Sequence, residues 1–473
     1  MVSAALCLAL ILQAPPEATG RIAVAHDWAA RIGREMGDSI WPGFRPDTIP
    51  VIYVLPGQGT LLVGWTGDLP AGYTPVVSDP ADPNAPPRGI GWHPFADPSA
   101  ASFATELGGR NAAQVVVKDS DGIAAIVGTT THEAFHVFER ASRKPDRRFG
   151  AGENAFLVTS YPVFDAGNEA GWALEGRILA GALEAGSTAD RRALARQFLA
   201  ARESRQRALG ADYAEFEQLA ELNEGLAEYT LVRSVELAAR RRDFPDHAGA
   251  RRLRADKIAA LKKLARDTGL SLRLRFYQTG PALGWLLDAL QGSKWKTRLI
   301  DEDLTVQDAL ADASGYRTAE QALRRAAEAR FAMPALRAAA DSDVAGLRAR
   351  RRAQADSLLA VPGVELVVSV EGAHLGLCGI DPQNLLQVEP GVLLHTRWVR
   401  TCAGSLLDAS FNTPVVQDEG AQTLKAVVGA DSTVKITSDA QGNVRVESPL
   451  VTLQATKAEV TRDGRVVTVK IKP

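Results

Sequence analysis

The pattern of apolar and polar positions divides the chain into three stretches. Within residues 49–65, Val51, Tyr53 and Leu55 alternate with their neighbours up to Pro56-Gly57, and a second apolar run covers 61–65, which predicts a hairpin. The Pro/Asp-rich stretch 79–88 reads as loop, and Gln-Val-Val-Val-Lys at 114–118 as a further strand ended by Asp119-Ser120-Asp121-Gly122. After Gly122, apolar residues recur at helical spacing in Ala/Leu/Arg/Glu-rich segments to about residue 359. Breaks are expected near 149–152, near 243–246 and at Gly280-Pro281. From Pro362 the pattern turns to Val/Thr-rich alternation at 364–370, 433–437, 444–451 and 466–471, the signature of a sandwich- or barrel-sized β module. The expected class is α+β: a β-rich part over 21–120, a mainly helical unit over 121–360, and a separate all-β module over 363–473.

Composition narrows the function classes. Apolar residues are 46% and charged residues 23%, as in ordinary globular proteins, and 54 Lys plus Arg against 56 Asp plus Glu leave no global attraction for nucleic acid. Residues 4–12 form an apolar run of signal-peptide length, too short to span a bilayer, although no Lys or Arg precedes it. Residues 1–20 are therefore read as an export leader, and the mature chain as secreted or held in the periplasm or cell envelope without a stable membrane span. Export would leave Cys378 and Cys402, which either pair in an oxidising compartment or stay as buried thiols. The basic runs 240–242, 251–254 and 348–352 alternate with Ala, Leu and Asp and read as solvated helix faces. No feature sets an oligomeric state.

The chemistry centres on Thr131-His132-Glu133-Ala134-Phe135-His136-Val137-Phe138, an HExxH sequence in a predicted helix. At about 3.6 residues per turn His132 and His136 lie one above the other, and a single ion can bridge them. Glu133 is rotated by about 100° from His132, which lets it reach a water at the ion without coordinating it, the position of a general base. A catalytic zinc needs a third protein ligand. The metzincin continuation would put Gly at 139 and His at 142, where the chain has Glu139 and Ser142. Glu217, Glu221, Glu224 and Glu228, spaced by 4, 3 and 4, place four carboxylates on one stripe of one helix. Like charges so spaced call for a cation, either a divalent ion or Arg202 and Arg205 of a neighbouring helix. Gly225 removes a side chain where two helices have to approach closely.

HExxH followed by Asn223-Glu224-Gly225-Leu226-Ala227-Glu228-Tyr229 resembles the gluzincin zinc metallopeptidases, the group that includes thermolysin and aminopeptidase N, over about residues 115–290. The resemblance implies a zincin-like domain holding one Zn²⁺ between His132, His136 and Glu224, with Glu228 steadying the His132 imidazole. Phe276-Tyr277-Gln278-Thr279-Gly280 is similar to the Tyr-x-x-Gly segment of the aminopeptidase N branch, which implies that Tyr277 stabilises an oxyanion; by itself Tyr277 reads equally well as a core aromatic. The chain departs from the group in two ways. His136 and Glu224 are 88 residues apart rather than fewer than two dozen, a gap filled by a helical pair at about 168–185 and 189–209. That pair brings nearer carboxylates, so Glu175 is the alternative ligand, followed by Glu169, Glu221 and Glu139. The Gly-x-Met-Glu-Asn element that grips a substrate amino terminus is absent, so aminopeptidase activity does not follow. The reading is a secreted zinc peptidase acting on peptide or protein, with strand 114–118 as an edge for an extended substrate. A cell-envelope binding or scaffolding protein with a non-catalytic metal site, and a zinc hydrolase of non-peptide amides or esters, fit the same residues.

Overall fold

The computed structural model describes residues 16–76, 89–97, 100–264, 272–318, 321–381 and 384–472. Helix α1 (Pro16–Ile40) comes first, with Ile22, Ala25, Trp28, Ala29 and Ile32 buried along one face at three- and four-residue spacings. The N-terminal part is thus mixed rather than β-rich, and the boundary at residue 20 falls inside α1, whose Ala18 is buried in the main core. The apolar run 4–12, Cys7 and the loop at 79–88 lie outside the described residues.

Six strands come after α1: β1 (Val51–Leu55), β2 (Gly59–Val63), β3 (Thr74–Pro75), β4 (Gly91–His93), β5 (Phe103–Leu107) and β6 (Arg110–Val116), in the order β3-β4-β2-β1-β6-β5. β1 and β2 form the expected hairpin, Val51 opposite Val63, and Gly57 supplies the positive φ of its turn. β6 runs parallel to β1 on one side and antiparallel to β5 on the other, so Gln114 lies between Ile52 and Phe103. The strand expected to offer an edge is therefore interior, and the edges belong to β3 and, next to β6, to β5.

The helical part comprises α2 (Ile123–Ser142), α3 (Ala166–Glu184), α4 (Thr188–Leu209), α5 (Ala211–Ala220), α6 (Leu226–Ala238), α7 (His247–Leu261) and α8 (Phe276–Gln291). It continues with α9 (Lys294–Asp301), α10 (Val306–Ser314), α11 (Gln321–Arg330) and α12 (Met333–Leu359). α3 and α4 are the inserted pair, each started by a side-chain cap: Asp165 accepts from the Gly167 and Asn168 amides, Ser187 from that of Asp190. Gly280-Pro281 does not break a helix; Pro281 sits inside α8. α2 packs between the sheet, α1 and α6, so the HExxH turn is held at the centre of the molecule.

Beyond Pro362, sheets of seven and six strands enclose a core of Val368, Phe411, Leu424, Leu453 and Val467. Cys378 and Cys402 pair as a disulfide between the neighbouring strands Gly376–Ile380 and Val399–Cys402. The module is welded to the helices. Leu385 and Leu393 share one apolar cluster with Tyr161, Trp172, Phe216 and Phe276. Gln387 donates to the carbonyls of Val158 and Tyr161 at 2.9 and 2.7 Å.

Candidate metal centre

On α2, Ala134 and Phe135 are buried in the core, and Gly128, one turn before His132, lets α6 come close: a Cβ there would lie 2.9 Å from Leu231. Between α5 and α6 the backbone makes a single π turn, Glu221–Gly225. A π turn holds one extra residue, which rotates the succeeding helical turns by about 100° relative to a straight α-helix. The four carboxylates consequently do not share a stripe. Glu217 and Glu221 meet the guanidinium groups of Arg205 and Arg202 on α4, whereas Glu224 and Glu228 meet the histidines of α2.

His132 Nε2 and His136 Nε2 stand 3.2 Å apart, and Glu224 Oε2 lies 3.6 Å from each. A tetrahedral ion with bonds of about 2.0–2.1 Å sets its ligand atoms about 3.3–3.4 Å apart, so this donor set fits one divalent metal. Glu224 Oε2 is buried and accepts no hydrogen bond, a costly state for a carboxylate oxygen unless a cation meets it. The outer ring nitrogens are already committed: His132 Nδ1 is 2.9 Å from Glu228 Oε2 and His136 Nδ1 is 3.0 Å from Glu139 Oε2. With each Nδ1–H donated to a carboxylate, both Nε2 lone pairs point to the shared position. Burial opposes charge on His132, but Glu224 and Glu228 outweigh it and hold the imidazole up at about 9. The pocket demands positive charge. Glu133, beside the triad, is pushed up by burial in spite of the two histidines, which suits a base working near neutral pH.

A further layer braces these groups. Arg273 donates to Glu224 Oε1 and pairs with Glu153 at 2.8 Å. Lys257 Nζ lies 2.6 Å from Glu228 Oε1 and 3.0 Å from the carbonyl oxygen of Tyr277. That carbonyl has no helical donor because Pro281, four residues on, lacks an N–H. One lysine thereby ties α6, α7 and α8 together. The Tyr277 ring lies 5.5 Å from that of His132, and burial and then the Glu224 carboxylate push its phenol up, so it stays a donor. Gly225 meets Gly280 of α8: a Cβ on Gly280 would fall 2.2 Å from the Gly225 Cα, the close approach expected at Gly225.

The remaining candidate ligands are engaged elsewhere. Glu175 accepts from Arg202 at 2.8 Å and Arg205 at 2.5 Å, so the alternative ligand is part of an ion-pair network and not of the triad. Glu221 pairs with Arg202 at 2.7 Å and Glu169 with Arg275 at 2.8 Å. Glu139 touches the site, but through the outer nitrogen of His136. Its spacing of three from His136 is a readable signal; nothing comparable in the sequence marks Lys257 or Arg273.

Glu133 and Tyr277 open onto a cleft of about 950 Å³. It is lined by the segment 100–102 leading into β5 and by Asn384, Leu386, Thr396 and Arg397 of the C-terminal module. The two histidines and the distal glutamate match the HExxH-plus-Glu architecture of zincin active sites and support a metal-dependent hydrolase acting on peptide-like substrates. Among the described residues no helix is long and apolar enough to cross a membrane. Comparison with protein-family models, curated proteins and solved structures returns no match.

Proposed function

We propose that this chain is a zinc-dependent peptidase that works outside the cytoplasm, with His132, His136 and Glu224 holding the ion. The observation that carries the reading is the orphaned Glu224 Oε2 facing two imidazole nitrogens whose other nitrogens are engaged by carboxylates. Two imidazoles and one carboxylate are a donor set that suits zinc. Bound there, zinc supplies Lewis-acid polarisation of the scissile carbonyl and acidifies water. Glu133 takes the proton of the attacking water and returns it to the departing amine, a role supported by its raised carboxyl and its place at the cleft. Tyr277, kept as a phenol, donates a hydrogen bond to the oxyanion. Glu228 and Glu139 orient the two imidazoles. The extended substrate lies along β5, the edge strand entered from the cleft-lining segment 100–102. The Cys378–Cys402 disulfide supports an oxidising, extracytoplasmic compartment.

The test combines elemental analysis with cleavage of casein and a peptide library. Wild type and Glu175→Ala should carry one zinc per chain, His132→Ala and Glu224→Ala none, and Glu133→Ala should keep zinc without cleaving. Peptide cleavage by Glu133→Ala at the wild-type rate overturns the mechanism; zinc retained in Glu224→Ala overturns the ligand assignment.

A further inference from the structure

A second cavity, about 600 Å³, opens between α4, α6, α7 and α8, away from His132 and His136. Five arginines reach it from separate parts of the chain: Arg191, Arg233, Arg240, Arg251 and Arg254. Arg240 and Arg251 belong to the runs that read in sequence as solvated faces. Two acidic residues share the lining, and neither balances that charge. Glu236 is divided between Arg254 at 2.6 Å and Arg233 at 3.6 Å. Asp288 spends its oxygens on the Tyr229 hydroxyl at 2.7 Å and the Trp295 indole at 3.0 Å. Arg191, Arg240 and Arg251 make no ion pair among the described residues.

The cavity also holds unmet hydrogen-bond demand of one sign. Trp285 is 7% exposed and its indole N–H has no acceptor among the described residues; Arg233 Nε is likewise buried without one there. Both groups are donors, and burying them is costly unless an acceptor arrives. The Arg254 guanidinium is stacked at 4.3 Å over Trp285, which fixes the plane of its fork. Guanidinium forks match tetrahedral oxyanions in bidentate geometry, and the volume of this open cavity exceeds that of a single inorganic ion. We propose that this cavity binds a small organic molecule carrying two or more phosphoryl groups, whose oxygens meet the unpaired arginines. The site shares no residue with the metal centre and stands whether or not the peptidase reading holds.

Calorimetric titration of the full-length, metal-loaded chain with fructose 1,6-bisphosphate, a weak chelator, tests the assignment. Binding should be saturable at one site per chain, weaken as salt is raised, and fall by about tenfold or more in the exposed-arginine double variant Arg240→Ala/Arg251→Ala, through loss of charge-assisted contacts. A melting curve for that variant matching wild type shows that its fold is intact; Arg191→Ala serves as the second probe if it does not. No heat at millimolar bisphosphate, or equal affinity in the variants, overturns the proposal. Tighter binding of a short polyglutamate peptide that displaces the bisphosphate overturns the assigned ligand class.

Discussion

Two buried polar clusters sit a few turns apart on the same run of helix, and they are built to opposite ends. In the first, Glu175, Glu217 and Glu221 meet Arg202 and Arg205, and the chain itself meets the demand of the carboxylates. Glu217 Oε1 accepts from Tyr161 and Arg205, both at 2.6 Å, while Oε2 accepts from Arg205 at 2.8 Å and Gln206 at 2.9 Å. In the second, Glu224 Oε2 accepts no hydrogen bond among the described residues. Burial of acidic groups is common to both and so identifies neither. What separates a brace from a binding site is the residual demand left after every protein partner has been counted.

If this distinction is right, damage to the open cluster costs chemistry and damage to the closed one costs folding. The largest effect should come from Glu133→Gln: peptide turnover falls by about 10²–10⁴-fold while zinc content and melting temperature hold, as read by initial rates and elemental analysis. Next, Arg205→Met strands Glu175 and Glu217 and should destabilise the fold by about 3–5 kcal/mol in urea titration, with zinc per folded chain unchanged. A loss of zinc from the folded fraction would mean that the two clusters are one. Lys257→Met sharpens the comparison within the open cluster. Without its contact to Glu228 the support of His132 loosens, and zinc affinity measured against a chelating dye should drop by about 10–100-fold.

The smallest lever is pH. Metal-free, His132 is held at about 9 against an ordinary 6.5, so its contribution to stability is complete below about 6.5 and fades as pH rises through 9. Metal binding needs the neutral ring, so zinc affinity moves the other way, rising by about tenfold per pH unit for each proton displaced. Melting of metal-free protein and zinc titration between pH 6 and 9 should therefore trend in opposite directions. Glu217 of the closed cluster should not respond in that range: burial works against its charge, but Arg205 holds its carboxyl below the ordinary value.

Much of the site is legible in the sequence because its chemistry is written in contiguous residues. HExxH places two imidazoles and a carboxylate through helix geometry alone, and the segment at Glu224 carries its own spacing and its glycine. The helical middle, the inserted pair and the β module beyond Pro362 follow from periodicity, which the structure reproduces. The illegible remainder depends on one-residue or long-range facts. A π turn leaves no mark in the apolar pattern, so four glutamates spaced 4, 3 and 4 mimic one stripe when they serve two clusters. Pro281 reads as a breaker; Lys257 takes up the carbonyl that it strands, and α8 runs on. α1 is different, since Ile22, Ala25, Trp28 and Ile32 keep helical period in plain view and only the leader-like start of the chain masks it. Nothing local announces that Asn384 or Arg397 lines the same cleft as Glu133.

That last arrangement bears on timing. The helices that carry His132, His136, Glu224 and Tyr277 are finished at Gln291, whereas Leu386 of the cleft belongs to a sheet in which strand Val466–Ile471 is inserted beside Glu365–Val370 rather than added at the rim. A chain still emerging from the ribosome thus owns its HExxH helix before it owns the groove that would seat a substrate. With peptidase activity as proposed, a substrate can be seated only once the strands around Asn384, Leu386, Thr396 and Arg397 have joined the helices.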